Sequence, residues 1–211
     1  MVVQINKKGI RVLGIAESFR RGCEKSVLAG IVMRSDSVID GIGFTQITVG
    51  GMDATAGILR LFRSLHRADI NVLMLNGCVI SWFNIIDLNE VYNELNIPLI
   101  CVTYEEAGSS SGSGSESGSI SGAKSPTLET HIARHFDRRE RDLRIDMYKR
   151  LGDRIPLKLN GDFEILIRFL GMEKVEANAL LRKFTIQGKV PEPLRVAKIA
   201  ARALLRSGLV G

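Results

Sequence analysis

Hydrophobic positions in the first hundred residues fall into short runs separated by polar or glycine-rich turns. Arg11 to Ile15 (RVLGI) is apolar and β-prone, and it follows a Lys-Lys-Gly turn signal. Val27 to Met33 (VLAGIVM) forms a second run, and Ile42 to Val49 (IGFTQITV) a third with alternating character. The short turns between them predict an antiparallel meander. After Gly50-Gly51, Ile58, Leu59, Leu61, Phe62 and Leu65 recur at helical spacing, with Asp53 or Thr55 as a helix cap. Asn71 to Leu75 (NVLML) is apolar throughout its last four positions, as for a strand covered on both faces. Ile85 to Leu95 predicts a helix, and Pro98 to Tyr104 (PLICVTY) a further buried strand.

The order β-β-β-α-β-α-β predicts an α/β fold with a mixed sheet flanked by helices. It is the element order of the ribonuclease H-like fold, whereas a doubly wound nucleotide-binding fold would begin β-α-β. Residues 1–105 are expected to form this sheet core. Residues 106–127 form a Gly/Ser-rich insert whose composition predicts a flexible coil. Residues 128–211 are expected to form a basic, mainly helical C-terminal part packing on the core. There, 128–151 predicts one long charged helix, 157–161 a short strand and turn, and 162–170, 173–183 and 192–206 further helices.

Composition narrows the class. The chain has 211 residues, 45% hydrophobic and 25% charged, as in ordinary globular proteins. No apolar run approaches the roughly 20 residues of a membrane span. The start, Met-Val-Val-Gln-Ile-Asn-Lys-Lys, has no apolar stretch of signal-peptide length, so a cytoplasmic protein without a membrane partner is expected. Cys23, Cys78 and Cys101 are scattered, which argues against a disulfide frame or thiolate metal site and predicts buried small hydrophobes. The net charge is +6, and its excess lies in one place. Residues 128–211 carry 18 basic against 11 acidic side chains, while 1–105 balance. Such a bias points to a polyanion partner, or to a solvated Arg-rich helical surface.

The strand ends carry the candidate chemistry, because functional groups in such sheets gather at the C-terminal ends of neighbouring strands. A metal-dependent phosphodiesterase needs carboxylates converging on Mg²⁺. Glu17 and Asp53 qualify by type, and Asn76 offers a neutral oxygen that could orient water. Asp53 is equally a helix cap. Gly50-Gly51 before a helix could turn backbone N–H groups toward a phosphate, or simply form a turn. His131 and His135, four apart on a helix, have metal-ligand spacing but no third partner, and a solvated face is the simpler reading. Trp82 and Phe83 could stack on a base, or pack in the core. Arg195, Lys198, Arg202 and Arg206 form a basic stripe on the last helix beside an apolar stripe of Leu194, Ala197, Ala201, Leu204 and Leu205.

Several of these stretches together resemble the mainly archaeal family called domain of unknown function 99, or endonuclease dU, related to endonuclease V. They are Val12-Leu13-Gly14-Ile15, Phe19-Arg20-Arg21-Gly22, Gly51-Met52-Asp53-Ala54-Thr55, Val72-Leu73-Met74-Leu75-Asn76-Gly77, Phe83-Asn84-Ile85-Ile86-Asp87 and, most specific, Gly188 to Ala197 (GKVPEPLRVA). The resemblance spans nearly the whole chain outside the Gly/Ser insert. It implies a ribonuclease H-like fold and Mg²⁺- or Mn²⁺-dependent cleavage of damaged, deaminated DNA. The family pattern is typically Asp-Asp where this chain has Ala16-Glu17, Leu-Asp-Gly where it has Leu75-Asn76-Gly77, an acid where it has Gly50, and often His where it has Lys198. Adjacent strand residues point to opposite faces, so Glu17 does not simply stand in for an acid at Ala16.

The resulting expectation is an endonuclease V-like nucleic-acid-binding protein, with DNA as the expected partner. If it cleaves, Glu17 and Asp53 hold metal, and Asn76 completes the catalytic set. Arg20, Arg21, Trp82, Arg195 and Lys198 are the expected nucleic-acid contacts. The alternatives are an inactive interaction or scaffold protein, and a small-nucleotide binder at Gly50-Gly51.

Overall fold

The computed structural model describes residues 9–20, 22–104, 128–159 and 163–208. The Gly/Ser-rich insert and Arg21 lie outside the described residues.

Three N-terminal strands, β1 (Arg11–Ser18), β2 (Lys25–Arg34) and β3 (Ile39–Thr48), form the expected meander. Helix α1 (Ala54–Ser64), β4 (Val72–Asn76), α2 (Leu88–Leu95) and β7 (Leu99–Thr103) follow in the expected order. A small hairpin, β5 (Val79–Ile80) with β6 (Asn84–Ile85), intervenes before α2. The predicted helical start at Ile85 is thereby shifted: Asp87 caps α2 instead, accepting from Asn89 N at 3.0 Å and Glu90 N at 3.1 Å.

The sheet has seven strands in the order β3-β2-β1-β4-β7-β9-β8. β1, β4 and β7 run parallel, and their neighbours on both sides are antiparallel. The last two strands come from the C-terminal segment: β8 (Ile155–Lys158) and β9 (Glu164–Leu170). The helix expected at 162–170 is therefore a strand. Its EILIRFL sequence is rich in β-favouring side chains, and the free edge of β7 supplies the ladder that fixes the choice. The long helix expected over 128–151 is two, α3 (Leu128–His135) and α4 (Arg138–Arg150). Asp137 opens the second by accepting from Glu140 N at 2.9 Å. Helices α5 (Lys174–Phe184) and α6 (Glu192–Arg206) agree with the sequence expectation.

Strict alternation along the inner strands builds two cores. Val12, Ala16, Val72, Met74, Ile100 and Val102 pack with α5 and α6 on one face. Leu13, Ile15, Leu73, Leu75, Leu99 and Cys101 pack with α1 and α2 on the other. Each such Leu or Ile contributes about 1.5–3 kcal/mol on burial, so these layers hold the strand ends in register. Cys78 and Cys101 are buried as expected, whereas Cys23 is exposed. Among the described residues, no helix is long and apolar enough to cross a membrane.

Two glycines shape the parallel strands β1 and β4. Gly14 on β1 touches α6: a Cβ added there would lie 2.5 Å from Pro193 Cβ. Only glycine lets the start of α6 lie this close to β1. Gly77 ends β4 with φ of 88°, a conformation that favours glycine.

Candidate functional site

The parallel strands β1 and β4 end side by side. Their last paired residues are Ile15 and Leu75, so Ala16 and Asn76 follow at the same level, with Asn76 in turn opposite Val102 of β7. Ala16 is buried in the α6-side core. Glu17 follows, and α6 reaches it. Lys198 Nζ donates to the Glu17 backbone carbonyl at 2.6 Å and lies 3.7 Å from Glu17 Oε1. Glu17 Oε2 is buried without a hydrogen-bond partner. Burial raises the Glu17 pKa above its ordinary value, and the Lys198 charge only partly opposes that rise.

On the other side of the Glu17–Lys198 contact lies an open groove of about 290 Å³, lined by Asn76, Tyr104, Val190, Leu194, Arg195, Lys198, Ile199 and Arg202. Among the described residues, three cations and no carboxylate line it. Arg195 holds Glu192 through a 2.7 Å Nε–Oε2 bond, and Arg202 is exposed. The Tyr104 hydroxyl is buried without a partner, and that burial pushes its pKa upward. The basic stripe of α6 is thus divided. Lys198 is half-buried beside Glu17, while Arg195, Arg202 and Arg206 face solvent. Leu194, Ala197 and Ala201 are buried beneath them.

Asp53 lies on the turn before α1. It occupies the N-cap position, yet its side chain makes no capping bond. Instead its carboxylate accepts from Thr48 N at 3.1 Å, Thr48 Oγ1 at 3.0 Å and Asn84 Nδ2 at 2.8 Å. Asn84 Oδ1 takes the Ala54 N–H at 2.9 Å, so the amide does the capping. Burial would raise the Asp53 pKa, but the Asn84 and Thr48 hydrogen bonds outweigh it and hold the pKa below the ordinary value. Among the described residues, no group of three or more His, Cys, Asp or Glu side chains is placed to hold a metal ion.

Gly50 and Gly51 do not offer free N–H groups to a phosphate. Gly50 N donates to Ser81 O at 2.8 Å and Gly51 N to Thr48 O at 3.1 Å. Their carbonyls are taken by Arg144 of α4, which is 1% exposed. Its guanidinium donates to Gly50 O at 2.6 Å, Gly51 O at 2.8 Å and Phe83 O at 2.7 Å. It also lies 3.9 Å above the Phe136 ring. Desolvation lowers the Arg144 pKa, and this one buried cation staples the turn before α1 to the β5–β6 hairpin.

That hairpin carries Trp82. Ser81, Trp82 and Phe83 all have positive φ, at 45°, 60° and 61°. Left-handed backbone costs roughly 1–2 kcal/mol per non-glycine residue. The tip is held by Arg144 on Phe83 O and by a buried 2.7 Å bond from Ser81 Oγ to Ser26 Oγ. The half-buried Trp82 ring packs edge-on to His135 at 5.2 Å, and Phe83 stacks on His135 at 6.0 Å. His135 therefore belongs to a ring cluster. Arg20 is exposed just beyond β1.

The structure thus brings together Glu17, Asn76, Arg195 and Lys198, and leaves Asp53 and Trp82 on other supports. Sequence reasoning passed over Tyr104 and Arg144. Tyr104 had a signal, since it follows a buried strand at the same sheet end as Asn76. Arg144 had none, being one arginine among many on a charged helix.

The sequence matches the family described as Endonuclease dU over residues 8–111 and 120–205. A UPF0215 protein of Pyrobaculum calidifontis is 31% identical over 189 residues, which is 90% of this chain and 93% of the relative. Among solved structures, a protein of unknown function from Archaeoglobus fulgidus superposes with a TM-score of 0.71 at 26% identity, covering 93% of this chain and 98% of its own. Endonuclease V of Ciona intestinalis, in complex with an inosine-containing 23mer DNA, superposes with a TM-score of 0.59 at 14% identity. That match covers 95% of this chain and 87% of the other. The fold is the ribonuclease H-like fold of endonuclease V.

Proposed function

The chain belongs to the endonuclease dU family, and from that membership we propose that it binds nucleic acid, DNA foremost, in the processing of deaminated DNA. The strand passes over the groove at the ends of β4 and β7 and along the exposed basic face of α6. The observation that carries this reading is the groove itself: among the described residues, Arg195, Lys198 and Arg202 line it and no carboxylate does. Cations arrayed along a strand path release condensed counterions on binding, which supplies affinity without base contacts. The inosine-containing DNA held by the Ciona relative supports the choice of DNA.

Metal-dependent phosphodiester cleavage, which the family implies, needs several carboxylates converging on the ion. The residues here do not fit it. Ala16 offers no ligand, Asn76 no charge, and Asp53 is committed to Thr48 and Asn84. Of the candidate carboxylates among the described residues, Glu17 remains, facing a lysine. We therefore read the chain as a binding protein on a nuclease scaffold. A second reading, an interaction protein that ignores nucleic acid, draws on the apolar side chains Ile39, Ile42 and Phe44, which are exposed on the edge strand β3.

Incubation with deoxyuridine- and deoxyinosine-containing DNA, with Mg²⁺, Mn²⁺ or EDTA, tests the cleavage part. The expected result is binding without nicking. Nicking that appears only in an Ala16→Asp/Asn76→Asp variant supports the same account. Metal-dependent nicking by the unaltered protein overturns it.

A further inference from the structure

We infer that the groove beneath α6 is a metal-independent subsite for one nucleotide, in which the Lys198 ammonium is the resident cation and the Tyr104 hydroxyl is a ligand donor. The inference rests on the nucleic-acid reading and specifies it: it names the group the groove takes and excludes a divalent ion from the grip.

Three independent features meet there. The first is charge. Lys198 Nζ is tied to the Glu17 carbonyl at 2.6 Å and lies 3.7 Å from its carboxylate, which keeps the ammonium at the end of β1. The Glu17 side chain lines the neighbouring cavity and not the groove, and Arg195 and Lys198 are each paired with an acid behind the wall, Glu192 and Glu17, so Arg202 adds the cation for which no acid partner stands among the described lining residues. Such a field attracts a phosphate and repels a free divalent cation. An ammonium is a compact charge with three donors, so Lys198 has donor capacity left beyond the Glu17 carbonyl and carboxylate.

The second feature is the buried Tyr104 hydroxyl. It has no hydrogen-bond partner among the described residues, and Tyr104 lines the groove. A buried phenol left unsatisfied costs about 1–3 kcal/mol, which an acceptor brought by a ligand recovers. A neutral phenol is the donor needed, and burial raises its pKa and keeps it protonated.

The third is size and shape. At about 290 Å³ the groove is near the lower end of small-molecule sites, enough for one sugar and phosphate with part of a base. Val190, Leu194 and Ile199 form an apolar wall suited to the sugar and ring, opposite the cations. Ile199 is 55% exposed, so it is accessible to a ligand in the groove.

The test uses the full chain and thymidine 5′-monophosphate as probe, followed by amide chemical shifts in EDTA, with thymidine alone as control. The expected result is saturable shifts at residues 195–202 and at Tyr104 with the monophosphate, much weaker with thymidine, and unchanged by Mg²⁺. Lys198→Met is expected to weaken binding about tenfold, and Tyr104→Phe and Arg202→Gln about three- to tenfold each, a tenfold loss corresponding to about 1.4 kcal/mol. Tyr104→Phe and Arg202→Gln leave the fold contacts of α6 intact, so they keep the test decisive if Lys198→Met fails to fold. Binding that requires Mg²⁺, or that is indifferent to both Tyr104→Phe and Arg202→Gln, overturns the inference. Labelled DNA binding is measured on the same samples. DNA bound with no groove shifts removes the subsite and leaves the nucleic-acid reading standing, whereas loss of both removes both.

Discussion

Lys198 and Glu17, 181 residues apart in sequence, meet where β1 ends: the ammonium donates to the glutamate's own carbonyl at 2.6 Å and stands 3.7 Å from its carboxylate. This contact fastens α6 to the sheet at the level of Ala16 and Asn76. It places a fixed positive charge where the family resemblance implies a site for a divalent one. Replacing Lys198 by Met removes one partner of a pair in which Glu17 is mostly buried and Lys198 half-buried. The expected cost is about 1–2 kcal/mol, between the values for exposed and buried pairs, and is read as a lower denaturant midpoint.

The Glu17 carboxyl gives this contact a pH signature. Its pKa in the fold is raised above 4.5 by burial. The folded state therefore holds the proton more tightly than the unfolded chain. Stability is greatest below the unfolded pKa and falls as pH rises from about 4.5 through the folded value. Glu17→Gln is expected to abolish this fall, so the variant gains stability relative to the parent on going from acid to neutral pH. Urea titrations on both sides of that window check it; identical pH dependence in the two proteins contradicts the burial argument.

Asp53 behaves in the opposite sense. Its folded pKa is lowered by hydrogen bonds from Asn84 and Thr48, so its stabilising contribution is present above about 3.8 and is lost as pH falls through the folded value. Asp53→Asn is expected to cost about 1–2 kcal/mol at neutral pH, because the new amide meets the Asn84 donor. DNA binding in EDTA should be unchanged at temperatures where the variant stays folded. Anisotropy and thermal melts on one preparation separate this turn-holding role from a metal-ligand role.

How much of this was legible in the sequence depends on the range of the interaction. Strand periodicity and turns are local, so the β-β-β-α-β-α-β order could be read directly. Residues 164–170 could not be assigned that way, since EILIRFL suits either a buried helix or a strand and only the edge of β7 decides. The departure at Asn76 was visible, but the Lys198–Glu17 contact joins opposite ends of the chain. Asp53 looked like a cap, and the structure gives that task to Asn84, whose amide both donates and accepts. Gly50-Gly51, which could have been a phosphate cradle or a plain turn, is a turn: its N–H groups are taken by Ser81 O, 31 positions on, and by Thr48 O, and only the second bond is local enough to be read from sequence.

Arg144 is the strongest single test of how that turn is held. It satisfies three backbone carbonyls from a nearly fully buried position. Arg144→Met leaves all three unpaired and is expected to cost about 3–4 kcal/mol. Arg144→Lys should recover only part, since an ammonium cannot reproduce the planar fork. Equilibrium unfolding of the two variants measures the difference, and a near-neutral Arg144→Met contradicts the staple.

Gly14→Ala probes the seat of α6. The added methyl falls 2.5 Å from Pro193 Cβ and 2.6 Å from the Pro193 carbonyl carbon, so helix and strand must separate. Overpacking of this kind costs about 1–3 kcal/mol. Because the shift carries Lys198 and Arg195 with it, DNA affinity is expected to fall together with the melting temperature.

The central claim is a metal-free, charge-driven grip on nucleic acid. It is tested most directly by anisotropy of labelled single- and double-stranded DNA in EDTA over a range of salt. The predicted result is binding that survives EDTA and weakens linearly in log–log form. A slope of about −2 to −4 corresponds to three or four phosphates, and Arg202→Gln should reduce it by about one. Binding that vanishes in EDTA, or that ignores salt, contradicts the account.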